Sequence, residues 1–137
     1  MNPLGTTRSS VTRDHALIAP DSHVPVAMPG WNNAKIVTLI SPRMGAHFQQ
    51  YLALMDSEGT TALGEHPTLE RFVYVLEGSV IMQLRHGKQV TMTPGQPFYE
   101  GPEYDHLVAR NASITEPAKF LVVLIKNKGA PALLPVE

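Results

Sequence analysis

Apolar residues recur along this chain in short runs and do not follow helical spacing. From residue 35 onward the runs are rich in β-branched and aromatic residues, and each is bounded by Gly, Pro, Asp or Ser. Such runs predict β-strands separated by tight turns. The predicted strands are residues 35–40, 48–55, 72–76, 79–85, 89–92, 97–100, 106–110 and 120–126.

The segments between these runs carry turn residues. Residues 57–69 are predicted to form a polar loop, because Asp56 and Gly59 end the preceding apolar run. Thr93-Pro94-Gly95 predicts a type II turn, in which Pro fixes the first central residue and Gly supplies positive φ at the second. Short strands at regular spacing predict an all-β sandwich or barrel.

Prolines divide the chain into three parts. Residues 1–33 are interrupted by prolines, which forbid a long helix, and we interpret them as an N-terminal arm. Trp31 is predicted to pack this arm onto the barrel. Residues 34–126 would form the barrel, and residues 127–137 a C-terminal tail or linker.

Composition narrows the function classes. A chain of 137 residues with 11 basic and 12 acidic side chains predicts one domain and argues against nucleic-acid or membrane partners. There is no cysteine, which excludes disulfides and thiolate metal sites. The start of the sequence lacks a signal-peptide pattern, and no apolar stretch is long enough to span a bilayer. We therefore expect a soluble, cytoplasmic domain.

The two segments around Gly78 and His106 resemble the paired motifs of the cupin superfamily. This resemblance implies a single antiparallel jelly-roll barrel, in which alternate strand residues point inward to bind a metal. Counted from Gly78, the position of the metal-binding glutamate holds Arg71, with Glu70 one residue earlier. The two histidine positions of the first motif hold Gly64 and His66, and His106 fits the histidine of the second. The ligand set is therefore incomplete.

A longer resemblance is to the (S)-ureidoglycine aminohydrolase family. It covers most of residues 7–126 in order. The matching strings are VTRDHALIAPDSHV at 11–24, PGWNN at 29–33, ISPRMGAHFQQYL at 40–52 and ERFVYVLEG at 70–78. That family has two tandem cupins and hydrolyses ureidoglycine to ureidoglycolate and ammonia in allantoin and purine catabolism, with manganese in the second cupin.

The family resemblance implies that this chain corresponds to the N-terminal, non-catalytic cupin. It would be either a truncated half or a lone half, without the family's catalytic residues. No cofactor is then expected in this half, and its partner would be a second cupin barrel or another copy in a homodimer. Two other functions stay open: a metal-poor cupin that binds a small molecule or serves as a scaffold, and a standalone metal cupin of other chemistry.

Six residues are the candidates for a site. His66 and His106 could bind a divalent metal weakly, with Glu70 as a possible third ligand, although one residue of offset turns it to the other strand face. Arg71 could bind a small carboxylate through its planar fork, or form an ion pair with Glu100 or Glu103, which is the favoured interpretation. Two tyrosines, Tyr74 and Tyr99, are further ligand-binding candidates, unless they only pack the core and rim.

Overall fold

The fold is all-β, as the computed structural model shows for residues 8–62, 69–84, 88–100 and 106–126. Two 3₁₀ turns, Pro20–Ser22 and Pro42–Met44, are the helical elements among these residues. The strands are β1 Ser10–Val11, β2 Ala16–Leu17, β3 Val26–Ala27, β4 Asn32–Ile40, β5 Phe48–Ala62, β6 Leu69–Glu77, β7 Val80–Leu84, β8 Gln89–Met92, β9 Pro97–Glu100, β10 His106–Asn111 and β11 Ala118–Lys126.

One antiparallel sheet forms a nearly closed barrel, which confirms the predicted fold class. Its strands run in the order β8-β7-β10-β5-β11-β6-β9, and β4 adds to β5 while β3 adds to β4. The central strand β5 is long enough to pair with β4 and β11 along its first part and with β10 at its end. Strand β5 therefore belongs to both sides of the barrel, and every second residue along it faces the interior.

The core lies inside this barrel and follows the two-residue period of the strands. On β6 the residues Val73 and Val75 are at most 1% exposed, whereas Phe72 and Leu76 are exposed. Tyr51 on β5 and Phe120 on β11 are the largest fully buried side chains. Side chains of successive strand residues point to opposite faces, so this alternation fixes which residues of β6 can reach the interior.

The predicted polar loop at residues 57–69 is wrong over its first part. Strand β5 continues through Ala62, and β6 already begins at Leu69. The strand passes Asp56–Gly59 through an irregularity: Glu58 has φ of 61°, and the pairing with β4 shifts register beside Asn33, which has φ of 50°. Between the pairs Asn32–Thr60 and Ala34–Met55, β5 has four residues and β4 has one, and an irregularity of this kind bends a strand without ending it. Residues 63–68 lie outside the described part.

The predicted type II turn at residues 93–95 is confirmed. The amide of Gln96 donates to the carbonyl of Thr93 at 3.1 Å, and Gly95 has φ of 90°. This positive φ suits glycine, which has no side chain to clash. The turn leads from β8 into β9, and thereby brings Glu100 at the end of β9 beside β6.

The N-terminal arm contacts the barrel through a short strand and an aromatic side chain. Strand β3 pairs with β4, whereas β1 and β2 form a separate two-stranded sheet. Trp31 is 9% exposed within the core cluster, with its ring centroid 6.1 Å from that of Tyr51. Within the described ranges, the helical turns are far too short to cross a membrane.

Candidate functional site

Arg71 points into the barrel. It shares the inward face of β6 with Val73 and Val75, and it is only 7% exposed. A guanidinium in an apolar interior needs a partner, because an unpaired buried charge is strongly unfavourable. Counted from Gly78, the sequence predicts this arginine at the position of a metal cupin's carboxylate ligand.

Glu100 supplies that partner. Strand pairing sets Arg71 directly opposite Glu100, and Nη1 of the arginine donates to Oε1 of the glutamate at 3.2 Å. The two side chains are 8% and 3% exposed, so the ion pair is screened from water. The Arg71 Nε–H has no hydrogen-bond partner among the described residues. The favoured interpretation of Arg71, an ion pair, is therefore seen with Glu100, while Glu103 lies outside the described residues.

Tyr51 lies close enough to interact electrostatically with both Arg71 and Glu100. Its phenol is buried, and burial raises its pKa to about 12, with opposing effects from the charges of Arg71 and Glu100. The hydroxyl consequently stays protonated and neutral at physiological pH. Sequence reasoning did not single out Tyr51, although its two-residue spacing from Ala53 and Met55 on β5 was a usable signal.

Glu70 lies on the opposite face of β6 and points away from the interior. Its carboxylate accepts a hydrogen bond from the Tyr99 hydroxyl at 2.7 Å, and this bond raises the pKa of Tyr99. Tyr99 is 60% exposed, and Tyr74 is half-buried on the same outer face. The structure thus separates the ligand-binding candidates, with Arg71 inside the barrel and the two tyrosines outside.

The described residues do not fit a divalent metal. They contain no group of three His, Cys, Asp or Glu side chains that could hold one. His66 lies outside the described residues. The structure describes the backbone of His106, which pairs with Leu84, but not its side chain.

Comparison with known proteins places this geometry in context. Residues 52–124 match the family described as Cupin domain. The chain is 44% identical over 104 residues to a probable (S)-ureidoglycine aminohydrolase of Oryza sativa. The matched region is 76% of this chain and 33% of the relative. The chain is 37% identical over 102 residues to the (S)-ureidoglycine aminohydrolase of Arabidopsis thaliana, covering 74% and 34%.

A solved structure contains the same fold in about half of its chain. The protein Ylba from Escherichia coli superposes with a TM-score of 0.79 at 25% identity, over 95% of this chain and 53% of that one. The chain thus spans about a third of the length of the curated relatives and about half of this structural relative.

Proposed function

Because this chain belongs to the cupin family, we propose that it serves ureidoglycine hydrolysis as a non-catalytic barrel that supports a second, metal-binding cupin. Its relatives over three quarters of its length are ureidoglycine aminohydrolases. The observation that carries the proposal is the buried Arg71–Glu100 pair at the position where a catalytic cupin has its carboxylate ligand. This pair occupies the interior with a structural contact.

The electrostatics of the pair support a structural role. A metal cupin gathers neutral imidazoles and a carboxylate around a cation. Here the cation is the guanidinium itself, and Glu100 neutralises it at 3.2 Å. The remaining acidic candidate, Glu70, is turned outward and bound to Tyr99. Manganese chemistry would then belong to the second cupin.

The outer face of the β5-β11-β6-β9 sheet supports a barrel as the partner. Five apolar or aromatic side chains lie on this outer apolar face, each at least 37% exposed: Phe48, Phe72, Leu76, Tyr99 and Ile125. Strand pairing makes the face continuous, since Phe48 lies opposite Ile125 and Phe72 opposite Tyr99. Contiguous apolar patches of this kind mark protein interfaces. We propose that a second cupin barrel covers it, or a second copy when the chain is alone.

Ammonia release tests the function. With freshly generated ureidoglycine and added manganese, the chain alone is expected to release ammonia no faster than the blank without protein. The full-length rice relative serves as the positive control. Exchanging the matching segment of that relative for this chain is expected to retain hydrolysis, because the barrel supports the catalytic one. Manganese-dependent release by the chain alone, in proportion to its concentration, would contradict a non-catalytic role.

Substituting Phe72 by glutamate is expected to convert a dimer of the isolated chain to a monomer. The change places a charge in the centre of the outer apolar face, where Phe72 is paired with Tyr99. Ile114→Glu is the matched control, since Ile114 is 75% exposed in the connection between β10 and β11. Size-exclusion chromatography with light scattering across a dilution series gives the mass of each variant. A monomeric unaltered chain, or a dimer that survives Phe72→Glu, contradicts the proposed interface.

A further inference from the structure

A cavity of about 380 Å³ lies between the N-terminal arm and the beginning of β5. One wall is the turn at residues 12–15, which joins β1 to β2. The other wall is formed by Met44, Gly45 and Ala46 at the end of the second 3₁₀ turn, together with Ile40 and Phe48. The lining therefore combines a polar turn with apolar side chains and does not include Arg71 or Glu100.

The turn is held by more hydrogen bonds than a chain reversal needs. The amide of Thr12 donates to the carbonyl of His15 at 2.8 Å, and the amide of His15 donates to the Thr12 hydroxyl at 3.3 Å. The Thr12 hydroxyl also lies 2.9 Å from the His15 carbonyl. These bonds fix the backbone that carries the polar wall, and such preorganisation favours ligand binding.

The imidazole of His15 is oriented by its neighbours. Its Nδ1 lies 2.9 Å from Oδ1 of Asp14 and 3.0 Å from the Thr12 hydroxyl. The bond to His15 lowers the pKa of Asp14, so this carboxylate remains ionised and engaged with the ring. With Nδ1 occupied, Nε2 is the ring nitrogen left to meet a ligand.

Arg13 is the cation of this wall that lacks a protein partner. Arg8 pairs with Asp21 and Arg71 with Glu100, but no described residue forms a hydrogen bond or ion pair with Arg13. A guanidinium offers a planar fork that matches a carboxylate. The single acid nearby, Asp14, is engaged by His15, which argues for an anionic ligand and against a metal ion.

We propose that this cavity binds a small organic carboxylate. Arg13 receives the carboxylate, the His15 ring lies beside it on the same turn, and the apolar part of the ligand packs on Ile40, Met44 and Phe48. Mixed lining of this type, with few polar groups that fix orientation, is typical of small-molecule sites. The site shares Phe48 with the outer apolar face but includes neither Arg71 nor Phe72, so the titration below is read separately from the tests of the function proposed above.

Titration with butyrate, followed by amide shifts in two-dimensional NMR, tests the site. Butyrate carries a carboxylate on a short apolar chain, butyramide is its neutral counterpart, and inorganic phosphate is an anion without an apolar part. Arg13→Met removes the fork. Arg110→Met is the matched control, because Arg110 is also an exposed arginine and pairs with Thr60 near the far end of β5 from Phe48.

The expected result is saturable shifts from butyrate at residues 12–16 and 40–48 in the unaltered chain and in Arg110→Met. Arg13→Met should weaken binding by at least about tenfold, since a hydrogen-bonded charge pair is lost. Butyramide should bind as weakly as butyrate binds Arg13→Met. The proposal is overturned by shifts that do not saturate, by equal butyrate affinity in both arginine variants, or by a preference for phosphate.

Discussion

Replacement of Arg71 by methionine is expected to lower the free energy of unfolding by about 3–5 kcal/mol, as removal of one partner from a buried ion pair does. Methionine approximates the stem of the arginine, so little packing volume is lost. Glu100, only 3% exposed, loses the guanidinium that neutralises it. Urea denaturation followed by circular dichroism measures the change, provided that the slope of the transition is preserved.

Two control variants distinguish the cost of leaving a buried charge without its partner from the cost of losing an ion pair in general. Lys119→Met breaks the exposed pair with Glu77, whose atoms lie 3.3 Å apart, and should change stability by only about 0–1 kcal/mol. The double variant Arg71→Met with Glu100→Leu removes both charges and should recover most of the loss. A single Arg71→Met variant as stable as Lys119→Met would show that the pair does not hold the interior together.

Substitution of Gly78 by alanine is expected to destabilise the barrel by roughly 2–5 kcal/mol, through left-handed backbone strain and a clash added together. Gly78 has φ of 75°, and a Cβ at this position would lie 2.4 Å from the carbonyl oxygen of Pro117 and 2.9 Å from Cα of Ala118. These are backbone atoms at the start of β11. The clash can be relieved only if the backbone at Gly78 and the backbone at residues 117–118 move apart.

Gly45→Ala is the matched control for this substitution. Gly45 has φ of 88°, and a Cβ there would meet nothing within 4 Å. It should therefore show only the conformational term, about 1–2 kcal/mol. Thermal unfolding of both variants gives the comparison. Equal losses for Gly78→Ala and Gly45→Ala would show that the close approach to Pro117 has no energetic weight.

The sequence predicted strands and faces well because both depend on local periodicity. The two-residue alternation of β6 was enough to set Arg71 inward and Glu70 outward, and the Pro-Gly pair was enough to place the turn at residues 93–96. The continuation of β5 past Asp56 was not predictable in this way. Polar residues there are typical of a loop, and the bend at Glu58 depends on pairing with Asn32 and Ala34 across the sheet.

The contacts of the site depended on register, which local patterns leave open. Arg71 and Glu100 are 29 residues apart, and the sequence could offer Glu100 and Glu103 equally as partners. Pairing of β6 with β9 sets Arg71 opposite Glu100 inside the barrel. The hydrogen-bonded turn at residues 12–15 was not predicted either, because the bonds of His15 to Thr12 and Asp14 form only when the turn is folded.

We propose that the buried Arg71–Glu100 pair stands in this barrel where a metal cupin binds its metal. The most direct test is manganese binding by the purified, metal-stripped chain, measured by equilibrium dialysis with elemental analysis. We expect less than about a tenth of an equivalent to bind, because Arg71 and Glu100 are paired with each other and the described residues hold no group of three metal ligands. Binding that approaches one equivalent in the unaltered chain, and is lost in His66→Ala or His106→Ala, would contradict it.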